Sequence, residues 1–181
     1  MATRLSLALS TLARLEEMAD WSKIIQNFFT NSDPENAFSR ISPDGCDESD
    51  IATCEAAIGF TLPDELRTFY LYSNGLGLQD NATDAPRFIP NIQSLPNYIN
   101  QCRTSFDDTH ADYAKRYLPF IDWENGDSSG FIFNKDGTLF ECVVMFSHEH
   151  YAYDNKQDIN EFLIPFAESL EELLSRSESG R

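Results

Sequence analysis

Near residue 117 the chain changes its apolar period, and that change limits the fold more than any other feature. Before it, apolar residues recur at helical spacing. After it, "YLPFIDW", "GFIFN", "TLFECVVMF" and "EFLIPFA" are short aromatic and β-branched runs, the first three separated by the turns "ENGD" and "KDG". Aromatic and β-branched runs bounded by Gly and Asp predict antiparallel hairpins. "SLEELLSR" then returns to a helix, with Ser169 and Glu172 at capping-box spacing. Helices, then strands, then a helix, with no repeat and no low-complexity linker, predict one α+β domain. Its central sheet should be antiparallel or mixed and flanked by helices.

The helical half divides at its Gly and Pro residues. Leu5, Leu9, Leu12 and Leu15, then Trp21, Ile24, Ile25, Phe28 and Phe29, form an apolar face over residues 4–30. They predict an N-terminal helical extension over 1–40, packed on a domain spanning 41–176, with 177–181 as a disordered tail. Ser6, Ser10, Thr11 and Arg14 interrupt the leucines, so the segment reads as an amphipathic helix rather than a leader peptide. In "DIATCEAAIGFTLPDELRTFYLYSNG", Ser49 or Asp50 can cap a helix that Gly59 stops in a left-handed conformation. Thr61 and Asp64 have capping-box spacing around Pro63, and Leu66, Phe69 and Tyr70 form the buried face of a second helix. "RFIPNI" reads as a strand, and "SLPNYINQC" and "HADYAKRY" as helices.

Charge narrows the function. Thirteen Lys and Arg against thirty Asp and Glu leave a net −17. A field of that sign repels nucleic acid and anionic membranes and attracts basic proteins. Between residues 117 and 154 seven acids (Asp122, Glu124, Asp127, Asp136, Glu141, Glu149, Asp154) face Lys135 alone, a local −6. Trp123, Phe131, Phe133, Tyr151 and Tyr153 are interleaved with them. Strand alternation turns about half of those aromatics toward a core. The rest, with the acids, would make an exposed surface suited to a basic protein.

Reaction chemistry finds little support. His148, His150 and Asp154 could share a strand face as a metal trio, but the pattern is not HExxH and His110 is the only other histidine. Asp122 with Glu124, and Asp107 with Asp108, are carboxylate pairs of the kind used in acid–base work, yet thirty acids produce close pairs by chance. No GxSxG, Walker or GxGxxG motif occurs. Cys46, Cys54, Cys102 and Cys142 contain no CxxC and read as reduced thiols. The expectation is therefore a non-enzyme without metal or cofactor.

Four segments in order resemble the SUKH superfamily. "DIATCEAAIGFTLPDELRTFYLYSNG" is similar to its helix–Gly–Leu-Pro–helix–Asn-Gly opening, and "YLPFIDWENGD" to its Leu-Pro-Phe strand and Gly-Asp turn. "KDGTLFECVVMFSHE" resembles its Gly turn, Val-Val strand and His-Glu end, and "AESLEELL" its closing helix, with Leu170 where the family has Phe. The resemblance runs from about residue 42 to 175. It implies an immunity protein, made beside a secreted toxin and blocking it by tight binding. Many such toxins are nucleases or nucleic-acid deaminases with basic grooves, which an acidic surface can fill. Fungal cell-wall regulators also belong to the superfamily, so a regulatory scaffold is the alternative; a small hydrolase using Asp122, Glu124 or His148 comes third. The expected partner is a basic toxin domain, with no nucleic acid and no membrane, and the expected state is a cytoplasmic monomer or weak dimer. The expected contacts are Asp122, Trp123, Glu124, Asp127, Glu141, Glu149 and Tyr151.

Overall fold

The structure is a computed structural model that describes residues 19–81, 86–139 and 142–176. The leucine face before residue 19, residues 82–85, Phe140 and Glu141, and the tail at 177–181 lie outside the described residues. Six α-helices are present among the described residues: α1 (Trp21–Ser32), α2 (Glu48–Ile58), α3 (Asp64–Tyr72), α4 (Leu95–Thr104), α5 (Asp107–Ala114) and α6 (Leu170–Ser175). A two-stranded ribbon pairs β1 (Ser39–Ile41) with β2 (Gly77–Gln79). The main sheet has the order β3-β4-β5-β6, from Tyr117–Asp122, Ser128–Ile132, Val143–Phe146 and Leu163–Ala167. Every pair is antiparallel, as hairpin turns require.

The corner between α2 and α3 follows from its punctuation. Gly59 takes the left-handed conformation at φ 75°, ψ 19°, and its N–H bonds the Glu55 carbonyl. The caps differ from the sequence reading. Asp47, rather than Ser49 or Asp50, caps α2, accepting the N–H groups of Ser49 and Asp50. Thr61 makes no capping box: Pro63 holds the cap position of α3 with no side-chain bond, since it precedes Asp64 directly. The Glu55 carboxylate accepts the Leu62 N–H at 2.8 Å instead and ties the corner to α2. Ile51, Cys54, Leu66, Phe69 and Tyr70 are buried.

Distant parts of the chain share a core. Trp21, Ile24, Ile25 and Phe29 of α1 pack into the same cluster as α3, Leu118, Phe120 and the leucines of α6. Trp21 meets Phe69 edge-on at 5.4 Å and donates from its ring nitrogen to Thr68. Glu65 of α3 reaches across the chain and accepts the Leu170 and Glu171 N–H groups at 3.1 and 2.8 Å, satisfying two orphan donors at the start of α6. Ser169 caps the same helix by accepting the Glu172 N–H. The Glu172 carboxylate bonds the Glu168 N–H, so the box closes one residue earlier than its usual geometry.

The sheet is covered on both faces. Leu118, Phe120, Phe131 and Phe133 belong to the first core, whereas Tyr117, Ile132, Val144 and Phe146 join Phe106, Tyr151 and Phe162 in a second. All five residues of β4 are buried. The expected open, aromatic sheet face is thus absent among the described residues: Phe131, Phe133 and Tyr151 are core residues, Trp123 is half-buried, and Tyr153 alone of the five aromatics is exposed. Two further segments differ. "RFIPNI" forms only an isolated bridge, in which Ile89 and Leu76 exchange backbone hydrogen bonds, because Pro90 lacks a donor to extend it. "SHEHYAYD" leaves the sheet after Phe146 and becomes a loop.

Candidate functional site: the acidic end of the sheet

The strand register brings four chain segments to one end of the main sheet. Asp122 pairs with Ser128, Ser128 with Phe146, and Phe146 with Leu163. The turn 123–127 and the loop 147–162 therefore leave the sheet at the same end. Asp122, Trp123, Glu124, Asp127, Glu149 and Tyr151 all lie there, and Glu141 lies outside the described residues.

The turn is built by its own side chains. The Asp122 carboxylate accepts the Glu124 N–H at 2.8 Å, and the Asn125 side chain accepts the Asp127 N–H at 2.9 Å while donating to the Asp127 carboxylate at 3.1 Å. Glu124 sits at φ 57°, a left-handed conformation uncommon for a residue with a Cβ. Its carboxylate is exposed, 3.8 Å from Arg87, an exposed pair that adds little stability. Trp123 is a strut rather than an open platform. Its ring nitrogen donates to Ser129 at 2.8 Å, and its ring meets Phe88 and Phe166 edge-on at 5.2 and 5.7 Å.

Asp127 joins turn to loop. One carboxylate oxygen accepts the His148 backbone N–H at 2.9 Å and bonds the His148 ring nitrogen at 2.7 Å. Burial pushes the Asp127 carboxyl up, but the hydrogen bonds from His148 and Asn125 outweigh it and hold the group below its ordinary value of 3.8. A depressed carboxyl contributes stability that is complete above its unfolded value and lost as the pH falls through its folded one. Asp127→Asn is accordingly expected to cost about 1 kcal/mol at neutral pH, with the gap from wild type closing below about pH 4. Urea unfolding of both proteins at neutral and acid pH measures this.

The loop beyond His148 is braced from within. Gln157 donates from its side-chain nitrogen to the His150 carbonyl, accepts the Ala152 N–H at 2.8 Å, and presents its own carbonyl to the His110 ring at 3.0 Å. Glu149 is exposed on it. Tyr151 is only 6% exposed; its hydroxyl bonds Thr109 and its ring packs against Phe146 and Phe162. Tyr153, by contrast, is 77% exposed at φ 55°, with its ring 4.5 Å from Tyr151. Nothing in the sequence marks Gln157 and His110 as braces, because the Gln157 side chain bonds only loop backbone and His110 meets the Gln157 carbonyl from 47 residues away. Tyr153 could be told from Tyr151 only once the loop was known to leave the strand.

Other chemistry is thinly supplied. Among the described residues, no group of three His, Cys, Asp or Glu side chains could hold a metal ion, and His148, His150 and Asp154 form no trio. Burial pushes the Cys54 and Cys102 thiols up to about 12 and about 11, the opposite of an activated thiolate. A groove of about 350 Å³ lined by Ile132, Val144, Leu163 and Pro165 is flanked by Arg116 and Lys135, and both cations pair with Asp112. Among the described residues no helix is long and apolar enough to cross a membrane.

The fold and this end together define an α+β domain whose distinctive surface is acidic and preformed. The chain belongs to the SMI1 / KNR4 family (SUKH-1), whose model matches residues 45–176. Membership is consistent with a toxin-immunity protein, one that binds a protein toxin. No curated protein matches the sequence. The matched region begins just before α2, so α1, which supplies Trp21, Ile25 and Phe29 to the core, precedes it.

Proposed function

We propose that this chain is a cytoplasmic immunity protein that binds and neutralises a cognate cationic toxin domain. The toxin is of nuclease type, delivered by contact-dependent inhibition or a related secretion route. The chain acts by covering the toxin's active site and carries out no reaction itself. The observation that carries this reading is the acidic end of the sheet in a SUKH-1 chain of net charge −17. Asp122, Glu124 and Glu149 supply charge there, and Trp123, Asp127 and Tyr151 hold the surface in shape from beneath. Asp122, held in place by the Glu124 N–H, meets a basic groove at lower ordering cost than a mobile acid does.

Co-expression with the product of the reading frame immediately upstream tests the reading. Rescue of growth and co-purification of a complex support it; a harmless neighbour that does not bind overturns it. In that complex, the double replacement Asp122→Lys and Glu124→Lys is expected to slow association at least about tenfold at low salt and to flatten its salt dependence. Stopped-flow association at several salt concentrations checks this, and an unchanged on-rate would move the interface away from the turn.

A further inference from the structure

We infer that Tyr153 is the aromatic anchor of the toxin-binding surface, inserted into a basic partner with Glu149 and Asp154 flanking it. This rests on the immunity reading and gives it a centre. Three observations point to Tyr153. It is by far the most exposed large hydrophobic side chain among the described residues, at 77%, the next being Phe38 at 48%. It is also held in a left-handed conformation, which for a bulky side chain is a genuine outlier rather than ordinary scatter. Folding alone does not call for an exposed, strained tyrosine: a Gly or Asn would turn the chain there with less strain. Strain kept in a rigid place is a pointer to function.

The third observation is that the ring is preorganised. Tyr153 lies 4.5 Å from Tyr151, which is fixed by Thr109 and by the second core, and Gln157 closes the loop around both. A rigid, half-supported tyrosine loses little freedom on binding and offers a large apolar face with a polar tip. Such residues dominate the energetics of protein interfaces.

The surroundings select the partner. Residues 147–161 carry Glu149, Asp154, Asp158 and Glu161 against Lys156 alone, a local −3. The loop begins at His148, which Asp127 ties to the acidic turn at 122–127. An exposed aromatic on an acidic loop at the same sheet end as Asp122 and Glu124 fits a basic protein cleft and disfavours an acidic one.

The test is titration of the purified upstream-encoded protein with the full chain, as wild type, Tyr153→Ala, Tyr153→Gly and Tyr153→Phe. Truncation to Ala or Gly is expected to weaken binding by roughly thirtyfold or more, and Phe to restore most of it. Relief of backbone strain should offset the lost ring contact in Tyr153→Gly, leaving its melting midpoint within about 2 °C of wild type. A loss of binding without loss of stability separates an anchor from a structural residue. If wild type binds and the Ala and Gly variants bind equally well, the anchor is overturned while the immunity reading stands. If wild type does not bind, both fall.

Discussion

Gly130→Ala is expected to destabilise the protein severely, although it adds a single methyl group to the middle of β4. A Cβ at residue 130 would lie 2.2 Å from the Leu118 carbonyl oxygen and 2.5 Å from the Pro119 Cα. Both atoms are backbone, so no side-chain rotation relieves the overlap. The register between β3 and β4 slips between Pro119 and Ile121, immediately beside this contact, and the slip lets the two backbones approach. Moving β3 outward would disturb Leu118 and Phe120, both fully buried. The expected cost exceeds about 4 kcal/mol, a large part of the 5–15 kcal/mol that stabilises an ordinary domain. Gly137→Ala is the contrast. It sits at φ 85° with nothing near its missing Cβ, and should cost only the left-handed penalty of about 1–2 kcal/mol. Urea titration of the pair separates close approach from conformation. If the Gly130 variant unfolds with the same midpoint as wild type, the approach of β3 to β4 is not the constraint described.

The same region shows which parts of the fold the sequence could reveal. Changes of period were legible: α2 and α3 with Gly59 between them, and the strands around "ENGD" and "KDG", were predicted from spacing and turn residues. Both faces of the main sheet were not. The expectation of one exposed face failed, because Tyr117 and Ile132 enter a second core made with Phe106 and Phe162. The unbroken apolar run from Tyr117 to Ile121 is the pattern of a strand buried on both sides, but it does not say which distant elements cover each face. The caps failed for a related reason. Asp47, Ser49 and Asp50 all have capping chemistry, and the backbone angle at Asp47 decides among them.

At the acidic end, composition was the readable part. Asp122, Glu124 and Glu149 are brought to one end of the sheet because the register from Asp122 to Leu163 puts them there, which turns and runs alone could not show. The duties of Asp127 and Tyr151 were hidden. The first is committed to His148 and Asn125, and the second to Thr109 and the core beneath the loop. Acidity and aromaticity mark a region, but not which of its side chains remain free to touch a partner.

Phe106→Ala should show how strongly that region depends on the second core. Phe106 is 1% exposed and forms ring contacts with Tyr117, Phe146 and Phe162 at 5.2–6.0 Å. Its removal is expected to cost about 3–5 kcal/mol, the usual range when a buried aromatic leaves a cavity. The consequence should reach beyond stability. Phe106 directly precedes α5, whose Thr109 holds the Tyr151 hydroxyl and whose His110 holds the Gln157 carbonyl. A loosened α5 therefore releases both braces of the loop that carries Tyr153. Amide exchange should accelerate across 147–158 in the variant more than in α1, which packs in the first core on the other face. Uniform acceleration would mean that the two cores open as one unit and that the loop has no separate support. Selective acceleration would make the second core the foundation of the proposed binding end, and toxin affinity should then fall with it even where the rest of the domain stays folded.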